Sequence, residues 1–168
     1  MLRKPFLCLF AGLLCFAPLS ATASGGSEAR AVPKFELKLL DGSILRSTDL
    51  AGKVAVIDFW GTWCRPCLAE IPEYNSLYSE YRDKGLLFVA IAVESGEESK
   101  VRAAVKRLGM EYPAAAPSGS RMDPFLDVSV FPTTWVVKDG RIEKEFLGTP
   151  AGKHKELRAT VDRLLGGN

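Results

Sequence analysis

Apolar positions follow two rhythms along this chain, and each points to a kind of element. Val54 to Trp60 is a short, β-branched run with one charged residue inside it, Asp58, and Leu86 to Val93 is almost uninterrupted. Runs of that length without alternation predict strands buried on both faces. Between them Leu68, Ile71, Asn75 and Tyr78 share one helical face, with Tyr74 and Leu77 beside them, and Gly85 marks the end. Two buried strands joined by a helix predict a right-handed, parallel βαβ unit. Upstream, Phe35, Leu37 and Leu39 alternate with Glu36 and Lys38, Asp41-Gly42 is a hairpin turn, and Ser43 to Arg46 returns as a second strand. Ser47 to Leu50 reads as a short helical turn. Downstream, Val101, Val105 and Leu108 predict a helix stopped by Gly109, Tyr112 to Ala114 is extended, and Met122 to Val128 is a short helix. Thr133 to Val137 and Ile142 to Phe146 form a hairpin through Asp139-Gly140, and Leu157, Val161, Leu164 and Leu165 stripe a terminal helix. The pattern predicts one α/β domain, without internal repeats or low-complexity tracts.

The first residues obey another logic. Arg3 and Lys4 precede an uncharged, largely apolar stretch from Pro5 to Leu19, and Ala21-Thr22-Ala23 fits a small-residue cleavage site. Residues 1–23 therefore read as a signal peptide; the alternative is an uncleaved anchor over residues 5–23, borderline in length for a bilayer. Residues 24–31 read as a mobile polar linker, and 32–168 as the domain. Cleavage changes the charge. The full chain carries 22 basic and 20 acidic residues, both charges of the signal are basic, and the mature chain is neutral. A neutral surface gives no support for nucleic-acid binding.

Four cysteines are present, and Cys8 and Cys15 belong to the signal. The remaining pair, Cys64 and Cys67, stands where the first buried strand hands over to the helix. Structural zinc needs about four N or S ligands, and beyond residue 23 only these two thiols and His154 are on offer. Haem attachment needs His after the second cysteine, and Leu68 is there. A structural disulfide remains open, although so small a loop constrains the unfolded chain little. The redox reading is favoured by position: free N–H groups and the helix dipole at a helix start stabilise a thiolate. Cys64 is expected to be the exposed nucleophile and Cys67, a turn inside, the resolving thiol.

The neighbours sharpen this. Arg65 either lowers the pKa of Cys64 or is a solvated surface cation. Pro66 suits the first helical turn, and Pro72 is expected to kink the helix. Asp58 on a buried strand would be costly and its pKa raised, unless it reaches solvent at a sheet edge. Glu70 could be a partner of the helix dipole. Trp60 and Trp63 are core or rim aromatics, Trp63 shielding the thiols, and His154 reads as a surface residue.

Phe59-Trp60-Gly61-Thr62-Trp63-Cys64-Arg65-Pro66-Cys67, with Glu70, Pro72 and the later Phe131-Pro132-Thr133, resembles the thioredoxin superfamily, more narrowly the TlpA/ResA type of exported proteins. The likeness covers about Val32 to Leu165. It implies a thioredoxin fold, a central mixed β-sheet flanked by helices, with an N-terminal β-hairpin and a central insertion between Val89 and Pro132. Asp58, six positions before Cys64, matches the aspartate that accepts a proton from the second cysteine. Glu70 matches the acid that the TlpA/ResA type places below its disulfide. Many members of that type have a neutral residue at the Asp58 position, so which acid carries the proton stays open. Pro132 is implied to be cis and packed against the cysteines, with the Phe131 backbone offering hydrogen bonds to a client. The implied activity is thiol–disulfide exchange in the periplasm or cell envelope, reducing client disulfides, apocytochromes c among them, with a membrane electron donor. No metal or organic cofactor is needed, and a monomer is expected. The rivals are a thiol metallochaperone and a disulfide oxidant or isomerase.

Overall fold

The computed structural model describes residues 29–125 and 127–166. The expected signal, residues 1–23, and the first part of the linker lie outside the described residues. Among the described residues eight strands form a six-stranded mixed sheet and a separate hairpin. The main sheet has the order β1 (Arg30–Ala31), β8 (Arg141–Leu147), β7 (Thr133–Lys138), β4 (Val54–Trp60), β5 (Leu86–Ala92) and β6 (Ala114–Ala115). β4, β5 and β6 are parallel, while β7, β8 and β1 are each antiparallel to their neighbours. The hairpin pairs β2 (Glu36–Lys38) with β3 (Ile44–Arg46) around Gly42, whose φ of 94° suits glycine. Helices α1 (Arg65–Tyr81), α2 (Glu98–Arg107) and α3 (Lys153–Gly166) complete the fold.

The two buried runs do become adjacent parallel strands, and α1 connects them. Because successive side chains of a strand point to opposite faces, β4 feeds two cores. Val54, Val56 and Trp60 join α1, α2, α3 and both cysteines on one face. Ala55, Ile57 and Phe59 join Phe35, Leu37 and Leu39 of the hairpin and Phe125 on the other. Asp58 has the parity of Val56 and Trp60, so it faces α1. It is also 2 % exposed on a strand paired on both sides, which excludes the sheet-edge alternative.

Several details differ from the sequence reading. Arg30 and Ala31, at the end of the expected linker, pair with β8; Arg30 lies 5.1 Å over the Trp135 ring and 3.3 Å from Glu145. The short helix expected over Met122–Val128 is a 3₁₀ segment, Gly119–Phe125. α1 ends at Tyr81, and one 3₁₀ turn separates it from Gly85 (φ 93°). The buried face of α1 is Cys67, Glu70, Ile71, Tyr74, Leu77 and Tyr81. That is about one residue round from the face read from apolarity, because a glutamate sits at its centre. Asn75, half-buried, instead pins the loop after α2 through Gly109 O (2.7 Å) and Glu111 N (2.9 Å).

Candidate active site

The site begins where β4 runs out. After Trp60 the chain turns through Gly61, and the Cys64 N–H donates to Gly61 O at 3.0 Å. A Cβ on Gly61 would stand 2.6 Å from the Trp63 ring, so only glycine lets that indole fold back over the turn. Trp63 is 52 % exposed; its Nε1 donates to Val93 O (3.2 Å) and its ring meets Phe131 edge-on at 5.4 Å. Cys64 is the N-cap of α1, with extended backbone (φ −88°, ψ 91°), and Pro66 lies in the first turn, where a missing N–H costs nothing. Cys64 and Cys67 form a disulfide, and Cys64 Sγ accepts the Cys67 N–H at 3.3 Å.

The expectation of an exposed Cys64 fails: the two cysteines are 4 % and 3 % exposed. In the disulfide both belong to the apolar core beneath α1, and the exposed positions of this turn are Trp63, Arg65 and Pro66. The Phe131–Pro132 peptide bond is cis. α1 runs on through Pro72.

Behind the disulfide lies a buried polar chain. Asp58 and Thr134 are direct cross-strand partners, and Thr134 Oγ1 is 3.2 Å from Asp58 Oδ1. The Tyr74 hydroxyl is 2.8 Å from Thr134 Oγ1 and donates to Glu70 Oε2 at 2.9 Å. Lys153 Nζ, from the first turn of α3, donates to the same Glu70 oxygen at 2.8 Å and to Gly148 O at 3.1 Å. His154 Nε2 is 3.5 Å from Glu70 Oε1, and its ring packs 5.7 Å from that of Tyr74. Asp58, Glu70, Tyr74, Thr134 and Lys153 are each at most 3 % exposed. Burial pushes the Asp58 carboxyl up to about 7; the Lys153 cation pulls it down and the Glu70 charge adds to the rise. Burial also holds the Tyr74 and Tyr112 hydroxyls well above the usual tyrosine range.

Asp58 and Glu70, read from the sequence as alternatives, are thus the two ends of one chain. Tyr74 was read as a packing residue, and Thr134 and Lys153 were missed. His154, read as a surface residue, is half-buried against Glu70. One signal for Lys153 was available: it stands four residues before Leu157, on the stripe that α3 buries. No grouping of three or more His, Cys, Asp or Glu side chains that could hold a metal occurs among the described residues.

With this geometry in view, the comparisons with known proteins are specific. The profile of the AhpC/TSA family matches residues 29–144. The chain belongs to the AhpC/TSA family of thioredoxin-like proteins. It is 30% identical to thiol-disulfide oxidoreductase ResA of Oceanobacillus iheyensis over 98% of this chain and 84% of the relative. It is also 30% identical to a ResA of Bacillus cereus, over 84% of this chain and 82% of that one. Among solved structures it resembles a thioredoxin-family thiol:disulfide interchange protein of Chlorobium tepidum, with a TM-score of 0.70, 25% identity and coverage of 84% and 99%. The fold is that of thioredoxin, and the enzyme is a thiol–disulfide oxidoreductase of ResA type. No described helix is long and apolar enough to cross a membrane.

Proposed function

We propose that this oxidoreductase is an exported reductant of the periplasm or cell envelope. Residues 1–23 direct export or, through 5–23, anchor the protein; residues 24–31 are a tether and 32–168 the working domain. The Cys64 thiolate attacks a client disulfide, releasing one client thiol and forming a mixed disulfide. Cys67 loses its proton to Asp58 and attacks Cys64 Sγ, releasing the second client thiol. An external dithiol, supplied at the membrane, then reduces the Cys64–Cys67 bond. Clients are proteins with an accessible disulfide, apocytochromes c before haem attachment among them. The exposed Trp63, with Phe131 and the Pro132 turn, is the surface on which a client strand would dock.

The observation that carries the direction is the burial of both sulfurs in an apolar cluster. Burial disfavours the thiolate, and a reduced form that is not held as thiolate makes a disulfide hard to reduce and a dithiol ready to donate. We expect a potential more reducing than roughly −200 mV, far from the roughly −120 mV of a strong envelope oxidant. Equilibration against a series of glutathione buffers measures it, and a value at the oxidant end would reverse the reading. Cys67→Ser should accumulate a mixed disulfide with client that vanishes when Cys64 is also replaced; metal held tightly by the reduced protein, without exchange activity, would favour a metallochaperone instead.

A further inference from the structure

Four oxygens stand in line at hydrogen-bonding distance: Asp58 Oδ1, Thr134 Oγ1, the Tyr74 hydroxyl and Glu70 Oε2, separated by 3.2, 2.8 and 2.9 Å. Three contacts need three hydrogens. Thr134 and Tyr74 supply one each, so with both carboxyls ionised one contact is empty. If Thr134 donates to Asp58 and Tyr74 to Glu70, the two hydroxyl oxygens face each other at 2.8 Å with nothing between them. None of the four residues is more than 3 % exposed, and in such a place an unmade hydrogen bond is not replaced by one to water. One further proton removes the defect. Asp58 can then donate to Thr134, Thr134 to Tyr74, and Tyr74 to Glu70.

Charge decides at which end that proton rests. The Lys153 ammonium, 1 % exposed, lies 2.8 Å from Glu70 Oε2 and fixes the negative charge at Glu70. Among the described residues Asp58 has no cation at that distance and accepts only from a neutral hydroxyl. We propose that Asp58 and Glu70 hold one proton between them through Thr134 and Tyr74, and that Lys153 is the positioning residue that keeps it on Asp58. The inference deepens the reading of Asp58 as the acid–base partner of Cys67.

The redox step then balances without a proton from solvent. When an external thiolate attacks Cys64 Sγ, the Cys64–Cys67 bond breaks and Cys67 leaves with the electron pair. It takes the proton resting on Asp58. In the forward reaction the Cys67 thiol returns that proton to Asp58 as it attacks the mixed disulfide, and the client thiolate departs with the electrons. Glu70 is the end nearer solvent, though its carboxylate is itself buried. With Lys153 and His154 it lines an open pocket of about 350 Å³, and among the described residues its Oε1 has no hydrogen-bond partner. The groups around Asp58 are Glu70 and Tyr74 from α1, Thr134 from β7, Lys153 from α3 and Tyr112 from the loop before β6, with His154 beyond Glu70.

The test is a carbon-13 NMR titration of the aspartate carboxyls in the oxidised protein, with Asp58 assigned from the Asp58→Asn variant. Asp58 should titrate near neutral pH. Lys153→Met should move its midpoint down, because the charge is no longer held at Glu70 and the proton passes to that end of the chain. Lys153→Arg should restore it. Tyr74→Phe should also lower the midpoint, since the shortened chain is complete without the extra proton. A Lys153 that acted only as a nearby cation would move the midpoint up when removed, and that result overturns the proposal. An Asp58 that titrates in the ordinary carboxylate range, or that does not respond to either Lys153→Met or Tyr74→Phe, overturns the proposal. If Lys153→Met fails to fold, the sign of the Tyr74→Phe shift decides alone. No client or potential enters this measurement, so its failure leaves the reductant reading intact, and an oxidant potential would leave the proton assignment intact.

Discussion

Asp58 shows how one residue can trade stability for chemistry. Its carboxyl is held up to about 7 chiefly by lost hydration, whereas the same group ordinarily titrates at 3.8. Between those values the unfolded chain has released the proton and the folded chain has kept it. Stability therefore falls as pH rises from about 4 to about 7, and the loss is complete above that. Asp58→Asn should abolish this slope and stabilise the oxidised protein at pH 8 by on the order of 1–3 kcal/mol. Urea denaturation of parent and variant at pH 5 and pH 8 checks it; the same difference between the two pH values in both proteins would contradict it. Gly61 is a second residue whose identity is set by a neighbour. Gly61→Ala should push the Trp63 ring off Val93 O and cost about 1–3 kcal/mol. The indole N–H resonance of Trp63 would report the displacement, and an unmoved resonance would mean that the turn had yielded instead.

Among elements, those that follow from a local pattern were legible in the sequence, and those that depend on a distant charge were not. Val54–Trp60 and Leu86–Ala92 are strands because apolar residues dominate both, with Asp58 alone resisting burial, and Asp139-Gly140 turns β7 into β8 because both residues adopt positive φ. Of the candidate site, Cys64 and Cys67 were read from their place at the strand–helix junction, and Asp58, Glu70 and Pro132 were singled out with the help of the resemblance. The face of α1 was misjudged because Glu70 at its centre looks like a surface residue. It can turn inward only because α3 presents Lys153, 83 residues later, and no local window contains that fact. Removing one partner of a buried ion pair strands the other, at a cost of about 3–5 kcal/mol. Lys153→Ala and Glu70→Ala should each fall in that range. The joint replacement Glu70→Gln with Lys153→Met should cost less than either. A double-mutant cycle in urea measures the coupling, and additive losses would argue that the pair does not act as a unit.

The whole molecule is a sheet with a different task on each face. The face that carries α1 and α3 holds the disulfide and the polar chain, while the other is closed by the hairpin and Phe125. Leu37 of the hairpin, 1 % exposed, belongs entirely to the second core. Leu37→Ala should cost about 2–5 kcal/mol and leave the redox potential of the cysteines unchanged. Paired denaturation and glutathione-equilibration measurements test that separation. A potential that shifted with the lost stability would show that the two cores are coupled through β4.

The dependence of Glu70 on Lys153 also has a consequence in time. A chain made from its N-terminus offers Cys64 and Cys67 long before α3 exists. Until α3 arrives, Glu70 has no cation and nothing assigns the proton to Asp58. The nascent protein therefore carries a dithiol whose proton partner is not yet set, and it becomes set only when α3 docks Lys153 against Glu70.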